Sequence, residues 1–187
     1  MPENSNSRDK GIRIDNVDIE TVAKAFANFS EKFLFDILPE ELSKYIGEGA
    51  SVALIYNIVK KGAKETLGEE IKKVMEIKGL EDALKACYLP YALVGMDFEH
   101  EEEKVSDNEV IVKVTKCPHF KYTKTKPFAC VACAAVKAGI IEDLRGKPVQ
   151  VILKKRKVGS TNPKIVIEIK KHMPSGDEYC EFHVKEM

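Results

Sequence analysis

The sequence lacks tryptophan and shows no excess of charge of either sign. Its 187 residues include 30 Lys and Arg against 30 Asp and Glu, so the formal net charge is zero. A balanced chain has no strong overall field that would attract nucleic acid, and we expect no such partner. With 44% apolar and 32% charged residues, the composition is typical of a folded domain with a hydrophobic core.

No run of about eighteen apolar residues occurs, so the sequence predicts no membrane span. Residues 1–6 have neither the basic nor the apolar segment of a signal peptide, and we expect a cytoplasmic protein. The five cysteines are an odd number. In a reducing compartment such residues are usually free thiols, metal ligands or redox groups rather than a disulfide framework.

The first half of the chain has helical periodicity. Residues 1–14 contain no periodic apolar pattern and are predicted to be a flexible tail, followed by a helical part at 15–90. Asp18 is the candidate N-cap of the first helix, and Pro39 is predicted to end it and to open a second helix that runs to Gly47. The apolar face of the first helix consists of Ile19, Val22, Phe26, Phe29 and Phe33. Such a face suits either a core or a dimer interface.

The second half alternates between strands and one helix. The predicted strands are residues 94–101, 110–116, 149–157, 164–170 and 179–185. A turn at 106–108 joins the first pair, a turn at 159–163 joins the third and fourth strands as a hairpin, and 128–142 is predicted to be helical. This order predicts an α+β fold with an antiparallel sheet of about five strands and helices on one side.

Four of the five cysteines and three of the four histidines follow residue 116. Cys130 and Cys133 have the two-residue spacing that lets two thiolates reach one metal ion, and a helix start there would favour the thiolate form. His172 and Cys180 flank the turn at 174–177, which can bring them together. These four residues form a predicted Cys₃His zinc site. The alternative is that Cys130 and Cys133 are buried as small apolar residues, as we expect for Cys87.

Two other arrangements use the same region. Cys117, Cys130, Cys133 and Cys180 could hold an iron–sulfur cluster as four thiolates, although their spacing does not match the ferredoxin runs. Cys117 and His119 could form a nucleophile and its base. Neither a dinucleotide-binding fingerprint nor a P-loop is present, and no evident acid/base carboxylate pair supports catalysis.

Two segments resemble a known family. Residues 176–184 (GDEYCEFHV) resemble the closing motif of 4-vinyl-reductase-like domains, in which a Gly-Asp turn precedes a cysteine and an aromatic strand. Residues 130–139 (CVACAAVKAG) resemble that family's cysteine followed by a helix of small residues. The closing pattern also occurs in amino-thiazoline-carboxylate hydrolase-like proteins. By order of elements the likeness covers about residues 90–187, so we predict a 4-vinyl-reductase-like domain at 91–187.

The resemblance implies the ligand-binding fold of haem-type nitric-oxide sensors and vesicle-tethering subunits, with helices enclosing an apolar pocket against a twisted antiparallel sheet. It also implies zinc near that pocket and a homodimer formed through the N-terminal helices. His172 would replace a family cysteine, Ile169 stands near the family's glutamate position and cannot ligate, and Cys133 would supply the fourth ligand. The expected pocket residues are Phe98, Phe120, Tyr122, Phe128 and Ile140.

These expectations favour a zinc-containing domain that binds a small apolar or hydrocarbon-like molecule, as a sensor or a carrier. The alternative is an enzyme, either hydrolase-like or an iron–sulfur reductase, that uses the cysteine cluster.

Overall fold

The computed structural model describes residues 18–187, so the tail predicted at 1–14 lies outside the described residues. Helix α1 spans Ile19–Lys32, and the Asp18 carboxylate accepts hydrogen bonds from the backbone N–H groups of Glu20 and Thr21. The predicted N-cap is therefore confirmed. The apolar face of α1 is exposed, with Phe26 69% and Phe29 62% accessible. Its predicted use as a homodimer interface stays a prediction.

The chain does not leave the helical conformation at Pro39. A π-helical turn (Phe33–Ile37) joins α1 to α2 (Leu38–Ala63), and a second π-helical turn (Lys64–Gly68) joins α2 to α3 (Glu69–Val74). The predicted helix end at Pro39 is wrong because the helical conformation continues through it: the Leu38 N–H donates to the Phe33 carbonyl oxygen in the π-helical turn, and Pro39 lies near the start of α2. The backbone does break at Gly47, which has φ 73° and ψ 162°.

Four further helices follow: α4 (Leu80–Ala86), α5 (Leu89–Leu93), α6 (Phe120–Thr123) and α7 (Val131–Arg145). Helix α7 confirms the helix predicted at 128–142, displaced by three residues because a 3₁₀ turn (Pro127–Cys130) precedes it. It ends at Gly146, whose left-handed φ of 63° is the usual way to close a helix. None of the helices between residues 18 and 187 combines the length and the apolar character needed to cross a membrane.

The sheet has six strands in the order β1-β2-β6-β5-β3-β4. They are β1 (Glu99–Ser106), β2 (Glu109–Lys116), β3 (Val149–Leu153), β4 (Arg156–Gly159), β5 (Ile165–Lys171) and β6 (Cys180–Glu186). Helices pack against this sheet, so the predicted α+β class is confirmed. The sheet is mixed rather than purely antiparallel, because β3 and β5 pair in parallel while the other neighbours are antiparallel.

The hairpin predicted between 149–157 and 164–170 is wrong. The chain turns earlier, at Lys154 and Lys155, so that β4 returns along one edge of β3 and β5 pairs with the other edge. Lys154 adopts a left-handed φ of 58°, a conformation that glycine usually occupies in such turns. Two lysines carry no turn signal in a sequence. The extra short strand also explains why the prediction counted about five strands.

One hydrophobic core joins the two halves of the chain. Val52 and Ile55 of α2 belong to the same buried cluster as Val112 of β2 and Ile167 of β5. Helix α7 lies between α2 and the sheet, and a Cβ atom added to its Gly139 would lie 2.4 Å from the carbonyl oxygen of Lys60. The two helices can approach this closely only because position 139 has no side chain.

Candidate functional site

A small enclosed cavity, which we call the cysteine cavity, lies at the N-terminal end of α7. Its volume is about 30 Å³, enough for one or two water-sized species. The titratable side chains that line it are Cys117, Cys130, Cys133, Cys180, His119, His172, Tyr91 and Lys137. All four predicted zinc ligands therefore line one cavity, together with both residues of the alternative nucleophile–base pair.

The ends of several elements bring these side chains together. Cys117 directly follows β2, and Cys130 is the last residue of the 3₁₀ turn that leads into α7. His172 directly follows β5, and Cys180 is the first residue of β6. Because β5 and β6 are antiparallel neighbours, the C-terminal end of β5 and the N-terminal end of β6 lie at the same end of the sheet.

His172 has one ring nitrogen without a partner. Its Nδ1 lies 2.7 Å from Ser175 Oγ, and its backbone N–H donates to the Asp177 carboxylate at 2.6 Å. Within residues 18–187, Nε2 is buried and forms no hydrogen bond. Burial lowers the pKa of His172 to about 4, so the ring is neutral at pH 7. An unpaired buried nitrogen is costly and needs an explanation.

His119 has partners at both nitrogens. Nδ1 lies 3.1 Å from Glu31 Oε1 and Nε2 lies 3.2 Å from Tyr91 Oη, while the ring stacks on Phe35 with centroids 3.8 Å apart. Burial lowers the pKa of His119, although the Glu31 carboxylate opposes this shift. Sequence reasoning missed Glu31 and Tyr91, because contacts across 88 and 28 residues leave no local pattern.

Three of the cysteines that line the cavity, Cys117, Cys130 and Cys180, are in an environment that favours neutral thiols. Burial raises the pKa of Cys117 to about 12 and of Cys180 to about 11, and it raises the pKa of Cys130 well above its usual range. The backbone N–H of Met173 donates to Cys180 Sγ at 3.3 Å and partly opposes this effect. A metal ion would have to displace the thiol protons, which makes binding dependent on pH.

No preformed coordination shell exists in the part of the chain that the structure describes. There, no three His, Cys, Asp or Glu side chains are arranged as a group that could hold a metal ion. The four predicted ligands face a common cavity, and they would have to turn inward to close around an ion.

Lys137 lies one helical turn after Cys133 and is 2% exposed. Its Nζ donates to Cys133 Sγ at 3.0 Å and lies over the rings of Tyr88, Tyr91 and Phe182 at 5.1, 5.8 and 5.4 Å. Burial by itself would lower the pKa of Lys137, but the Cys133 sulfur and the tyrosine hydroxyls outweigh it and raise the pKa well above its usual range. A single lysine inside the otherwise apolar stretch 131–141 was the signal that sequence reasoning overlooked.

The five residues predicted to line an apolar pocket do not surround one cavity. Phe98 lines the cysteine cavity, Phe120 lines an open groove of about 630 Å³, and Phe128 lines an outer pocket of about 330 Å³. Ile140 is fully buried in the core, and Tyr122 is partly buried under the Lys121 ammonium, 4.8 Å from its ring centre.

A different apolar groove, which we call the α1 groove, adjoins the cysteine cavity. It has a volume of about 180 Å³ and runs beside α1 and α5, with Leu34, Val94 and Val136 among its lining residues. Phe35, Tyr91 and His119 line both the α1 groove and the cysteine cavity. These three side chains therefore form a shared wall.

Comparison with known proteins assigns the family. Residues 51–170, more than half of the chain, match the family model described as methanogen output domain 1. The chain belongs to the methanogen output domain 1 family. The matched stretch contains Cys117, Cys130, Cys133 and Lys137, and it ends before His172 and Cys180. The resemblance to 4-vinyl-reductase-like domains stays a prediction.

No curated protein matches the chain. Among solved structures it is similar to trafficking protein particle complex subunit 3 from Naegleria fowleri, determined with palmitic acid covalently bound. The alignment covers 90% of this chain and 94% of that chain, at 14% identity and a TM-score of 0.48.

Proposed function

We propose that this output domain is a zinc-containing module in which Cys130, Cys133, Cys180 and His172 hold the ion inside the cysteine cavity. The observation that carries the proposal is the buried, unpartnered Nε2 of His172, a residue that lines the same cavity as four cysteines. A metal ion is a partner that would satisfy this nitrogen. Three thiolates and one imidazole are a common closed zinc shell.

The surroundings favour this ligand set over the others. His119 is engaged at both nitrogens, so the unpaired Nε2 of His172 is the better imidazole donor. The four-thiolate alternative would replace His172 by Cys117, which lines the same cavity. A volume of about 30 Å³ suits one ion better than a cluster of several iron and sulfide ions, and that alternative would leave Nε2 unpaired.

A zinc ion in a closed shell contributes stability rather than an open coordination position. Through these four ligands, the ion would link two segments that are distant in the sequence. Cys130 and Cys133 mark the start of α7, while His172 and Cys180 enclose the turn between β5 and β6. Metal binding is therefore expected to be coupled to the ordering of that turn and to the stability of the fold.

The proposed ligand is a small apolar molecule that binds in the α1 groove. The groove is lined mainly by apolar side chains and shares Phe35, Tyr91 and His119 with the cysteine cavity. Its volume of about 180 Å³ is below the usual range of roughly 300–1,000 Å³ for ligand sites. We therefore expect a small ligand, or one that moves Phe35 when it binds. Its contact with the shared wall would couple the two sites, as a sensor requires.

Metal analysis tests the zinc proposal directly. The purified full chain is expected to contain one zinc ion, and Cys180→Ser and His172→Gln are expected to lose it and to melt at lower temperature. Cys87→Ser is the matched control, because Cys87 is fully buried, bonds to the Ala83 carbonyl oxygen and does not line the cysteine cavity. Full zinc occupancy in both ligand variants would refute the proposed ligands. A brown, iron-containing protein would favour the cluster.

Thermal-shift screening tests the apolar ligand. Fatty acids, aromatic hydrocarbons and tetrapyrroles are suitable probes, since a ligand at a hundred times its Kd stabilises the folded state by about 2.7 kcal/mol. Leu34→Gln, in the α1 groove, should abolish the shift, whereas Leu93→Gln, exposed outside it, should not. A shift that is equally large in metal-free protein would argue against coupling. A shift that survives Leu34→Gln would place the ligand elsewhere.

A further inference from the structure

The Lys137 ammonium is buried in an unusual setting. It is 2% exposed and lies on the wall of the cysteine cavity, where its one close polar contact with the residues from 18 onward is with Cys133 Sγ at 3.0 Å. Among the ion pairs formed within residues 18–187, none joins Lys137 to a carboxylate. A buried positive charge is strongly disfavoured unless an anion lies beside it.

The surrounding aromatic rings only partly stabilise the buried positive charge of Lys137. The faces of Tyr88, Tyr91 and Phe182 attract the ammonium through their quadrupoles. None of these neutral rings carries a full negative charge. The hydrogen-bond partner of the ammonium that can carry a full negative charge is the Cys133 sulfur, 3.0 Å from Nζ.

A zinc centre of the proposed composition supplies that group. A divalent ion with three thiolates and a neutral imidazole carries one net negative charge, which a single ammonium cancels. Four thiolates around the same ion would leave one uncancelled negative charge in an enclosed cavity. Because Lys137 supplies a single buried positive charge, charge balance favours three thiolates and one imidazole over four thiolates.

We infer that Lys137 is the positioning residue of this centre, holding the Cys133 sulfur by a hydrogen bond and making the buried centre electrically neutral with a divalent ion. The inference rests on the proposed zinc site and deepens it. It also gives a physical reason for a lysine at position 137: the helix passes the cavity there, one turn after Cys133.

The test compares Lys137→Met, which keeps an unbranched side chain one atom shorter but removes the charge, with Lys137→Arg, which keeps the charge. Competition with a chromophoric chelator gives the zinc dissociation constant. Losing a group that orients a ligand typically costs about 10–100-fold in metal affinity, and we expect that loss for Lys137→Met. Lys137→Arg should lie closer to the wild type. Lys60→Met, in which a lysine paired with Glu142 outside the cavity is replaced, is the control.

A second measurement separates charge from packing. With a single iron ion in place of zinc, Lys137→Met should shift the Fe³⁺/Fe²⁺ potential to more negative values, because a nearby cation favours the less positive ion. Lys137→Gln replaces Lys137→Met if the latter does not fold. A neutral variant with wild-type zinc affinity and an unchanged iron potential would overturn the inference while leaving the zinc site intact. If the wild type binds no zinc, the proposed function itself fails.

Discussion

The two halves of α7 serve different purposes. In the N-terminal half, Cys133 and Lys137 line a cavity together with His172, whose Nε2 is buried and unpaired. In the C-terminal half, Gly139 and Ile140 are fully packed, and the backbone of α2 lies against the glycine. The small residues of α7 bring α2 close instead of opening space for a ligand. Close packing of one half of the helix can offset the free energy that burying the Lys137 ammonium in the other half costs.

The largest effect on stability should come from a substitution in the packed C-terminal half of α7. Ile140→Ala removes a side chain with no exposed surface and should lower the free energy of unfolding by about 2–5 kcal/mol. Denaturant titration should give the same loss with zinc-loaded and metal-free protein. A loss that depends on the metal would mean that the packing of the C-terminal half of α7 is energetically coupled to the metal site.

A smaller loss is expected when the α2–α7 contact is overfilled. Gly139→Ala would place its Cβ 2.4 Å from the Lys60 carbonyl oxygen, and we expect a cost of about 1–3 kcal/mol as the helices move apart. Gly62→Ala is the matched control, because no atom lies within 4 Å of its added Cβ. That change should stabilise α2 by about 0.5–1 kcal/mol. Equal effects of the two alanines would contradict the close packing.

The last turn of α7 is held by a buried carboxylate. Arg145 donates twice to Glu186 at 3.1 Å, and Lys147 also contacts it. The hydrogen bond from Arg145 lowers the pKa of Glu186. Its stabilisation is therefore complete above the unfolded value of about 4.3 and is lost as the pH falls through the lower folded value.

Glu186→Gln should cost about 1–3 kcal/mol at pH 7 and progressively less below pH 4. Urea unfolding at several pH values measures this. Glu178→Gln, at an exposed carboxylate, should change little. A cost for Glu186→Gln that does not depend on pH would show that charge is not what holds this turn.

The smallest effect on stability is expected in α1, a separate helix with an exposed apolar face. Phe29→Glu should change the free energy of unfolding by less than about 0.5 kcal/mol, because Phe29 is 62% exposed. If the aromatic face forms the predicted homodimer, light scattering should show a dimer for the wild type and a monomer for this variant. Val74→Glu, at another exposed apolar position, should remain dimeric. A wild type that is monomeric at micromolar concentration would refute the interface.

Local signals explain what the sequence could predict. The Asp18 cap, the turn at 106–108 and the start of α7 each depend on neighbouring residues, and the structure has all three. Cys130 and Cys133 were linked by their spacing and His172 and Cys180 by their turn, so placing these four around one region was possible. Their binding of zinc remains a proposal.

Long-range pairing explains what the sequence could not predict. The parallel pair of β3 and β5 depends on a turn formed by two lysines, and the Glu31–His119 contact joins residues 88 positions apart. The apolar stretch around Lys137 could have indicated that this lysine is buried, but its contact with Cys133 Sγ follows only from the packing of α7. Such residues acquire their roles only from neighbours that the fold supplies.

The π-helical turn at Phe33–Ile37 determines how α1 is rotated about its own axis relative to α2. A π turn holds one more residue than an α turn, and each residue of an α-helix rotates the chain by about 100°. Shortening this turn by one residue would rotate α1 by that angle about its axis. Glu31 would swing away from His119, and the aromatic face would point in a new direction. One inserted residue therefore decides both which side of α1 meets solvent and whether the buried histidine keeps its carboxylate.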